Sequence, residues 1–203
     1  MTVAVSTEQI KELRGKTGAG MMDCKRALEE AAGDMQKAIE VLRKKGAATA
    51  AKRADKETNQ GVVEAYIHAG GRIGAMVELN CETDFVAKTP DFKSLAHDIA
   101  MQIAAMTPRY IVREHVEQLV IDKELEIYKT QAQNEGKPAG IAEKIAQGRL
   151  DKFYQETCLM EQSFIKDSGK TIKDLLDEAT AKVGERISIR RFIRYHLGED
   201  ASS

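Results

Sequence analysis

Tryptophan is absent from this 203-residue chain, aromatics make up only 5% of it, and proline occurs three times. So few flat rings leave no row of stacking platforms, which argues against a single-stranded nucleic acid as ligand. Cysteine is as sparse: Cys24, Cys81 and Cys158 are odd in number and far apart. They build no disulfide framework and suit a reducing compartment, as buried or idle thiols. An excess of one charge is missing as well, since 31 basic residues stand against 32 acidic ones for a net charge of −1. That balance removes any bulk pull toward nucleic acid or an anionic membrane. No apolar run approaches the ~18 residues a membrane span needs. The start, Met1-Thr2-Val3-Ala4-Val5-Ser6, shows neither a basic leader nor a long apolar segment. The expectation is a cytoplasmic protein with no membrane and no direct nucleic acid among its partners.

Catalytic chemistry is also hard to find. Gly15-Lys16-Thr17 imitates the end of a phosphate-binding loop, but that loop needs a further glycine where Ile10 stands, and it must follow a strand. No dinucleotide fingerprint follows a strand either. The four histidines, His68, His97, His115 and His196, are scattered without the paired spacing of metal ligands. No nucleophile elbow is present. Glu82 and Asp84 form a carboxylate pair two residues apart, for which solvation in an exposed loop is the simplest reading. No enzyme activity, cofactor or bound metal is expected, and binding is what remains.

What the chain does have is charge, 31% of all residues, with abundant alanine, lysine, glutamate and leucine, the composition of a mostly helical protein. Ser6 and Gln9 have capping-box spacing ahead of Ile10 and Leu13, and the glycines at 15 or 18 end that helix. A second helix from about Met22 to Ala32 carries Cys24, Ala27, Leu28 and Ala31; after Gly33, Asp34 is placed to cap a third. These three short helices define a docking domain over residues 1–46 with a small core, marginal by itself. Residues 47–60, Ala-rich with Lys52, Arg53 and Lys56 beside Asp55 and Glu57, read as a helical extension fading into a linker whose charges are solvated.

From Gly61 the period becomes two. Val63, Ala65 and Ile67 alternate with polar residues, Gly70-Gly71 turns the chain, and Ile73, Ala75, Val77 and Leu79 resume, which is a β-hairpin. A helix follows from Pro90-Asp91 with Phe92, Leu95, Ile99, Ile103 and Met106 on its apolar side. Another strand runs from Arg186 to Leu197, and returning it to the hairpin gives a small antiparallel sheet of about three strands. The fold class is therefore α+β, with a core formed by 61–112 and 158–198. Between them, residues 113–157 show two helical stretches around Gly136-Lys137-Pro138, a helical hairpin insert that either projects as an arm or packs on the sheet. Residues 199–203 are a tail.

Two stretches give these elements a purpose. Asn80-Cys81-Glu82-Thr83-Asp84-Phe85-Val86-Ala87 lies at a strand-to-helix corner, where side chains can be presented from a rigid base. An ordinary phenylalanine there turns inward as a core anchor, although Asp84 and the polar strand end make that burial costly. Near the N-terminus, Arg14 and the adjacent Met21 and Met22 surround a glycine-rich turn that includes Gly18, and methionine suits a surface that adapts to a partner. Both stretches, Arg14 to Leu28 and Asn80 to Ala87, resemble the signature segments of the elongation factor Ts family, in that family's order. The resemblance extends almost end to end and includes a similar Gly-Lys-Pro hairpin turn, which favours the projecting arm.

The resemblance implies an ubiquitin-associated-like N-terminal bundle and a guanine-nucleotide exchange factor for elongation factor Tu in translation elongation. In that role Arg14, Gly18, Met21 and Met22 would dock on the nucleotide domain of the GTPase. Thr83, Asp84, Phe85 and Val86 would reach its nucleotide site, Phe85 as a wedge and Asp84 near the Mg²⁺ region. The chain has room for only one sheet-bearing core, as in the short members, which leaves a homodimer open. The rival reading is an ubiquitin-associated-type adaptor without exchange activity. It accounts for residues 1–46 and gives the Thr83-Asp84-Phe85 corner no task.

Overall fold

A computed structural model of the chain describes residues 5–199. Most of the expected tail, beyond Glu199, and the residues before Val5 lie outside that range. The fold is α+β, as the periodicities require. In chain order its helices and strands are α1 (Thr7–Thr17), α2 (Met21–Glu30), α3 (Met35–Lys52), β1 (Gln60–Ile67), β2 (Ile73–Cys81), α4 (Asp84–Ala87) and α5 (Pro90–Met106). Then come α6 (Gln118–Asn134), α7 (Ala139–Thr157), β3 (Ser163–Phe164), β4 (Asp167–Thr171), α8 (Ile172–Val183) and β5 (Ile187–His196). Strands β1, β2 and β5 form one antiparallel sheet in that spatial order, and β3 with β4 form a second, two-stranded one. The chain divides into two compact units. One holds the residues up to Glu64 with Glu78–Ala96 and Lys173–Arg190; the other holds Ala65–Val77, His97–Ile172 and the residues from Arg191 onward.

In the first unit the helix starts follow the sequence closely. Ser6 Oγ accepts from the Gln9 amide at 3.2 Å while Gln9 Oε1 accepts from the Ser6 amide at 3.0 Å, a complete capping box. Gly18 ends α1 in the left-handed region at φ 67°, which a residue with a Cβ seldom adopts. Asp34 caps α3 through the Lys37 amide at 3.0 Å. Ile10, Leu13, Cys24, Ala27, Leu28, Ala31 and Ala38 bury the bundle's core. Helix α3 continues through Gly46 to Lys52. There the glycine lies against the backbone of α8, with 3.5 Å from its would-be Cβ to the Asp177 carbonyl oxygen. Arg43 Nε adds a 2.9 Å bond to Asp174.

In the second unit α6 and α7, joined by a four-residue turn, pack on each other as a helical hairpin. Buried Ala132, Ala142 and Ala146 let the helices approach, and Lys129–Glu143 and Arg149–Glu135 pairs cross between them. At the other end Val116, Leu150, Phe153, Tyr154 and Cys158 form a small core, against which the Arg113 guanidinium lies 4.5 Å from the Tyr154 ring centre. The two-stranded β3–β4 sheet is too short to announce itself by alternation. It is held by a buried amide pair: Gln102 Nε2 donates to Gln162 Oε1 (3.2 Å) and to the Ser163 carbonyl (3.1 Å), and Gln102 Oε1 accepts from the Ile165 amide (2.9 Å).

One apolar face is left uncovered. The alternation in β1 is present, but Val63, Ala65 and Ile67 lie on its exposed side, while Val62, Glu64 and Tyr66 are half-buried. Ile67, Met76, Tyr195 and Leu197 of the second unit surround one shallow depression with their apolar groups exposed, Ile67 and Tyr195 each at 65%. All three cysteines are buried free thiols. Burial raises the Cys81 thiol to about 11, and it raises those of Cys24 and Cys158 too. Cys158 is thus not positioned for cross-linking at the surface.

Candidate functional site

The strand-to-helix corner is where the structure departs most from the expected run of loop. Strand β2 extends to Cys81, and Asp84–Ala87 coil into a single helical turn before α5 begins at Pro90. Thr89 makes the second bend: its hydroxyl donates to the Val86 carbonyl at 2.8 Å and accepts from the Phe92 amide at 3.3 Å. It caps α5 just ahead of a proline in the first helical position, where the missing amide is no loss.

Phe85 sits in that turn with 79% of its surface exposed. The inward anchor usual for phenylalanine is therefore not what forms; Ala87 and Phe92 turn inward instead. A single exposed apolar side chain is common on a folded protein; what distinguishes this ring is its place beside Asp84 on a turn whose base is hydrogen-bonded from below. Asp84, beside it, accepts from Lys88 at 2.5 Å, and that bond holds its carboxyl below the usual carboxylate value. Both partners of this ion pair are exposed, so it contributes little and leaves Asp84 free to exchange partners. Thr83 and Val86 are half-buried at the base of the turn.

Glu82 is not a solvated carboxylate, and the reason lies far along the chain. It accepts two bonds from Arg53 Nη1, at 2.7 and 2.9 Å, and one from the Arg186 amide at 2.6 Å. The Arg186 amide bond, then the Arg53 guanidinium, lowers its pKa from 4.5. Arg53, read from sequence as part of a solvated linker, is thus engaged with the corner. The Thr83 amide and hydroxyl both donate to Glu185, at 3.0 and 2.6 Å. Neither Glu185 nor Arg186 was singled out by sequence reasoning, because no local spacing links residues 102 positions away to the corner.

The second predicted cluster belongs to the same compact unit. Arg14 is exposed in the last turn of α1, Gly18 caps that helix, and Met21 and Met22 occupy the first turn of α2 with 40% and 62% of their surfaces exposed. Both methionines are outward, because Cys24, Ala27 and Leu28 already fill the buried side of α2. The structure thus presents two separate surfaces, a soft thioether cluster beside a cation and an acidic-aromatic turn. Among the described residues no group of three or more histidine, cysteine or acidic side chains is placed to hold a metal, and no helix is long and apolar enough to cross a membrane.

The class of protein to which this fold, with its two presented surfaces, belongs is specified by sequence relationships. The elongation factor TS family profile matches residues 4–199. The elongation factor Ts of Carboxydothermus hydrogenoformans is 65% identical over 195 residues, covering 96% of this chain and 90% of that protein. Those of Moorella thermoacetica and Thermoanaerobacter sp. strain X514 are 61% and 60% identical, each over 96% of both chains. The chain belongs to the elongation factor Ts family and is a factor of translation elongation.

The lowered Glu82 carboxyl has a pH consequence. A group whose folded value lies below its ordinary 4.5 contributes stability that is complete above pH 4.5 and is lost as pH falls through the folded value. Denaturation midpoints of the wild type and Glu82→Gln should therefore differ most at neutral pH and converge in acid. A gap of constant size from pH 7 to 3 would show that ionisation of Glu82 does not support the corner.

Proposed function

We propose that this protein is the guanine-nucleotide exchange factor of elongation factor Tu, acting in the cytoplasm without catalysing any covalent step. The observation that carries the reading is the outward Phe85 ring beside Asp84 on a turn fixed from below. In this reading the domain of residues 1–46 holds the GTPase through Arg14, Gly18, Met21 and Met22. The core of 61–112 and 158–198 brings Thr83 to Val86 to the nucleotide site, Phe85 as a wedge and Asp84 toward the Mg²⁺ shell. The insert of 113–157 serves as an arm for the partner's other domains. An adaptor without exchange activity would have no use for a turn so held.

Exchange is then a coupling between ligands. The nucleotide-bound and exchanger-bound shapes of the GTPase differ, so each ligand weakens the other, and the factor changes rates without altering the overall nucleotide equilibrium. A nanomolar nucleotide is held by about 12 kcal/mol, and thousandfold faster release needs a barrier lower by about 4 kcal/mol. Burying one phenylalanine supplies roughly 1.5–3 kcal/mol. The wedge is therefore insufficient alone, and the docking surface and the loosened Mg²⁺ and phosphate contacts supply the remainder.

A second copy of the chain is the partner we assign to the exposed apolar face at Ile67, Met76, Tyr195 and Leu197. A two-fold dimer, the commonest oligomer symmetry, buries the same patch on both copies, so one such face is enough to form it. Sedimentation should give the mass of a dimer, and Tyr195→Lys should give a monomer; a wild-type protein that sediments as a monomer at micromolar concentration excludes the assignment. In stopped-flow release of labelled GDP from elongation factor Tu, Phe85→Ala should slow maximal stimulated release by roughly tenfold or more. Its half-saturating concentration should shift much less. Met21→Ala and Arg14→Ala should do the reverse, weakening the complex by about tenfold at near-normal maximal rate. Equal effects of all three on both quantities would contradict this division.

A further inference from the structure

The exchange turn is held by a reciprocal arrangement between two distant segments of the first unit. Glu185 accepts hydrogen bonds from the Thr83 amide and hydroxyl, at 3.0 and 2.6 Å; Glu82, one residue before Thr83, accepts one from the amide of Arg186, one residue after Glu185, at 2.6 Å. Each segment thus lends a carboxylate to the other's backbone, as the two residues of a capping box do within a helix. Arg53 closes on the Glu82 side with its two bonds.

Thr83 is saturated by this arrangement. Its carbonyl accepts from Cys81 Sγ at 3.1 Å and from the Ala87 amide at 3.3 Å, so its amide, hydroxyl and carbonyl are all bonded. As the residue that opens α4, it would ordinarily use its hydroxyl to accept from an amide of that turn. It makes no such bond, and the hydroxyl donates to Glu185 instead. One carboxylate holding both donors of one residue fixes its backbone plane and its side-chain rotamer together. That sets the direction in which the next residues, Asp84 and Phe85, leave the sheet.

Glu185 stands where helix electrostatics disfavour it, just past the C-terminus of α8, whose carbonyl end repels a carboxylate. Gly184 makes the position accessible: at φ 75° it ends the helix, its amide bonded to the Thr180 carbonyl at 2.9 Å. Arg186 Nη1 reaches the Lys56 carbonyl at 2.6 Å, and the Ile187 amide reaches the buried Thr180 hydroxyl at 3.3 Å, so the chain after Glu185 is anchored as Gly184 anchors it before. A carboxylate against its local preference, bonded to Thr83 two residues before the wedge, is a positioning device rather than a surface charge.

We propose that Glu185 is a positioning residue for nucleotide exchange, acting through Thr83 to hold Asp84 and Phe85 in the attacking orientation, with Glu82 as its reciprocal counterpart. The proposal rests on the exchange reading above. A preset turn forfeits less entropy on docking than one that must be ordered by its partner, and misplacing a reacting group by about 1 Å can cost up to a hundredfold in rate.

The test is the same GDP-release assay with intact protein, reading maximal rate and half-saturating concentration separately, for Glu185→Ala, Glu185→Gln, Thr83→Val and the Glu185→Gln/Thr83→Val pair. Glu185→Ala should lower the maximal rate by roughly tenfold. Glu185→Gln, whose amide oxygen still accepts one bond, should fall between it and the wild type. Half-saturation should move by less than about twofold in the two Glu185 variants, because the docking surface is intact. The paired variant should be no worse than the more severe single one, since both act on the same contact between residue 185 and the Thr83 hydroxyl. If Glu185→Ala does not fold, Glu185→Gln and the pair decide alone. Additive effects, an unchanged maximal rate, or a loss confined to half-saturation would overturn the proposal while leaving the exchange reading in place. A wild-type protein that fails to accelerate GDP release would overturn the exchange reading itself, and with it the role of Glu185.

Discussion

A pair of crossed carboxylates is the constraint on which this structure depends for its purpose. Glu82 and Glu185 each satisfy a backbone amide on the other's segment, and between them they fasten the end of β2 to the turn after α8. Charge-assisted bonds of this kind are about twice as strong as neutral ones, and removing one partner leaves the other group half-buried and underbonded. The exposed turn Asp84–Ala87 is thus the visible end of an arrangement whose holding bonds lie beneath it. An aromatic ring in water has no reason of its own to stay there; the backbone below compels it.

Local rules made much of the scaffold legible. Ser6 with Gln9, Asp34, the Gly18 break and the change of period at Gly61 each act within a few residues, and each became the cap, break or strand that its chemistry implies. The late strand's return to the hairpin followed from the marginal stability of two strands alone. The α4 turn, the β3–β4 pair and the inverted face of β1 were not legible. In β1 the alternation gives the period but not which side meets the core, and an exposed apolar row reads in sequence like a buried one.

The site was legible only in its outer residues. Phe85, Asp84, Met21 and Met22 stand out because their types are unusual for their places, and the structure exposes both methionines and the ring. What holds them came from a distance: Arg53 looked like a linker charge and Glu82 like a solvated one, and nothing in the sequence singled out Glu185. Electrostatic partners separated by 29 to 104 positions leave no periodic trace. Magnitude makes the same point. One ring is too small a source of energy for the proposed exchange, so in that reading the work is distributed between a surface that grips and a turn that is held.

That holding is open to direct observation in the free protein through amide hydrogen exchange at Thr83. If Glu185 and its neighbours fix the turn before any partner arrives, the Thr83 amide should be protected to the same degree as those of β2, since both would then open only with the unit as a whole. Exchange of Thr83 at the rate of an open loop, with β2 still protected, would mean that the turn is ordered by its partner and that the account has its mechanism reversed.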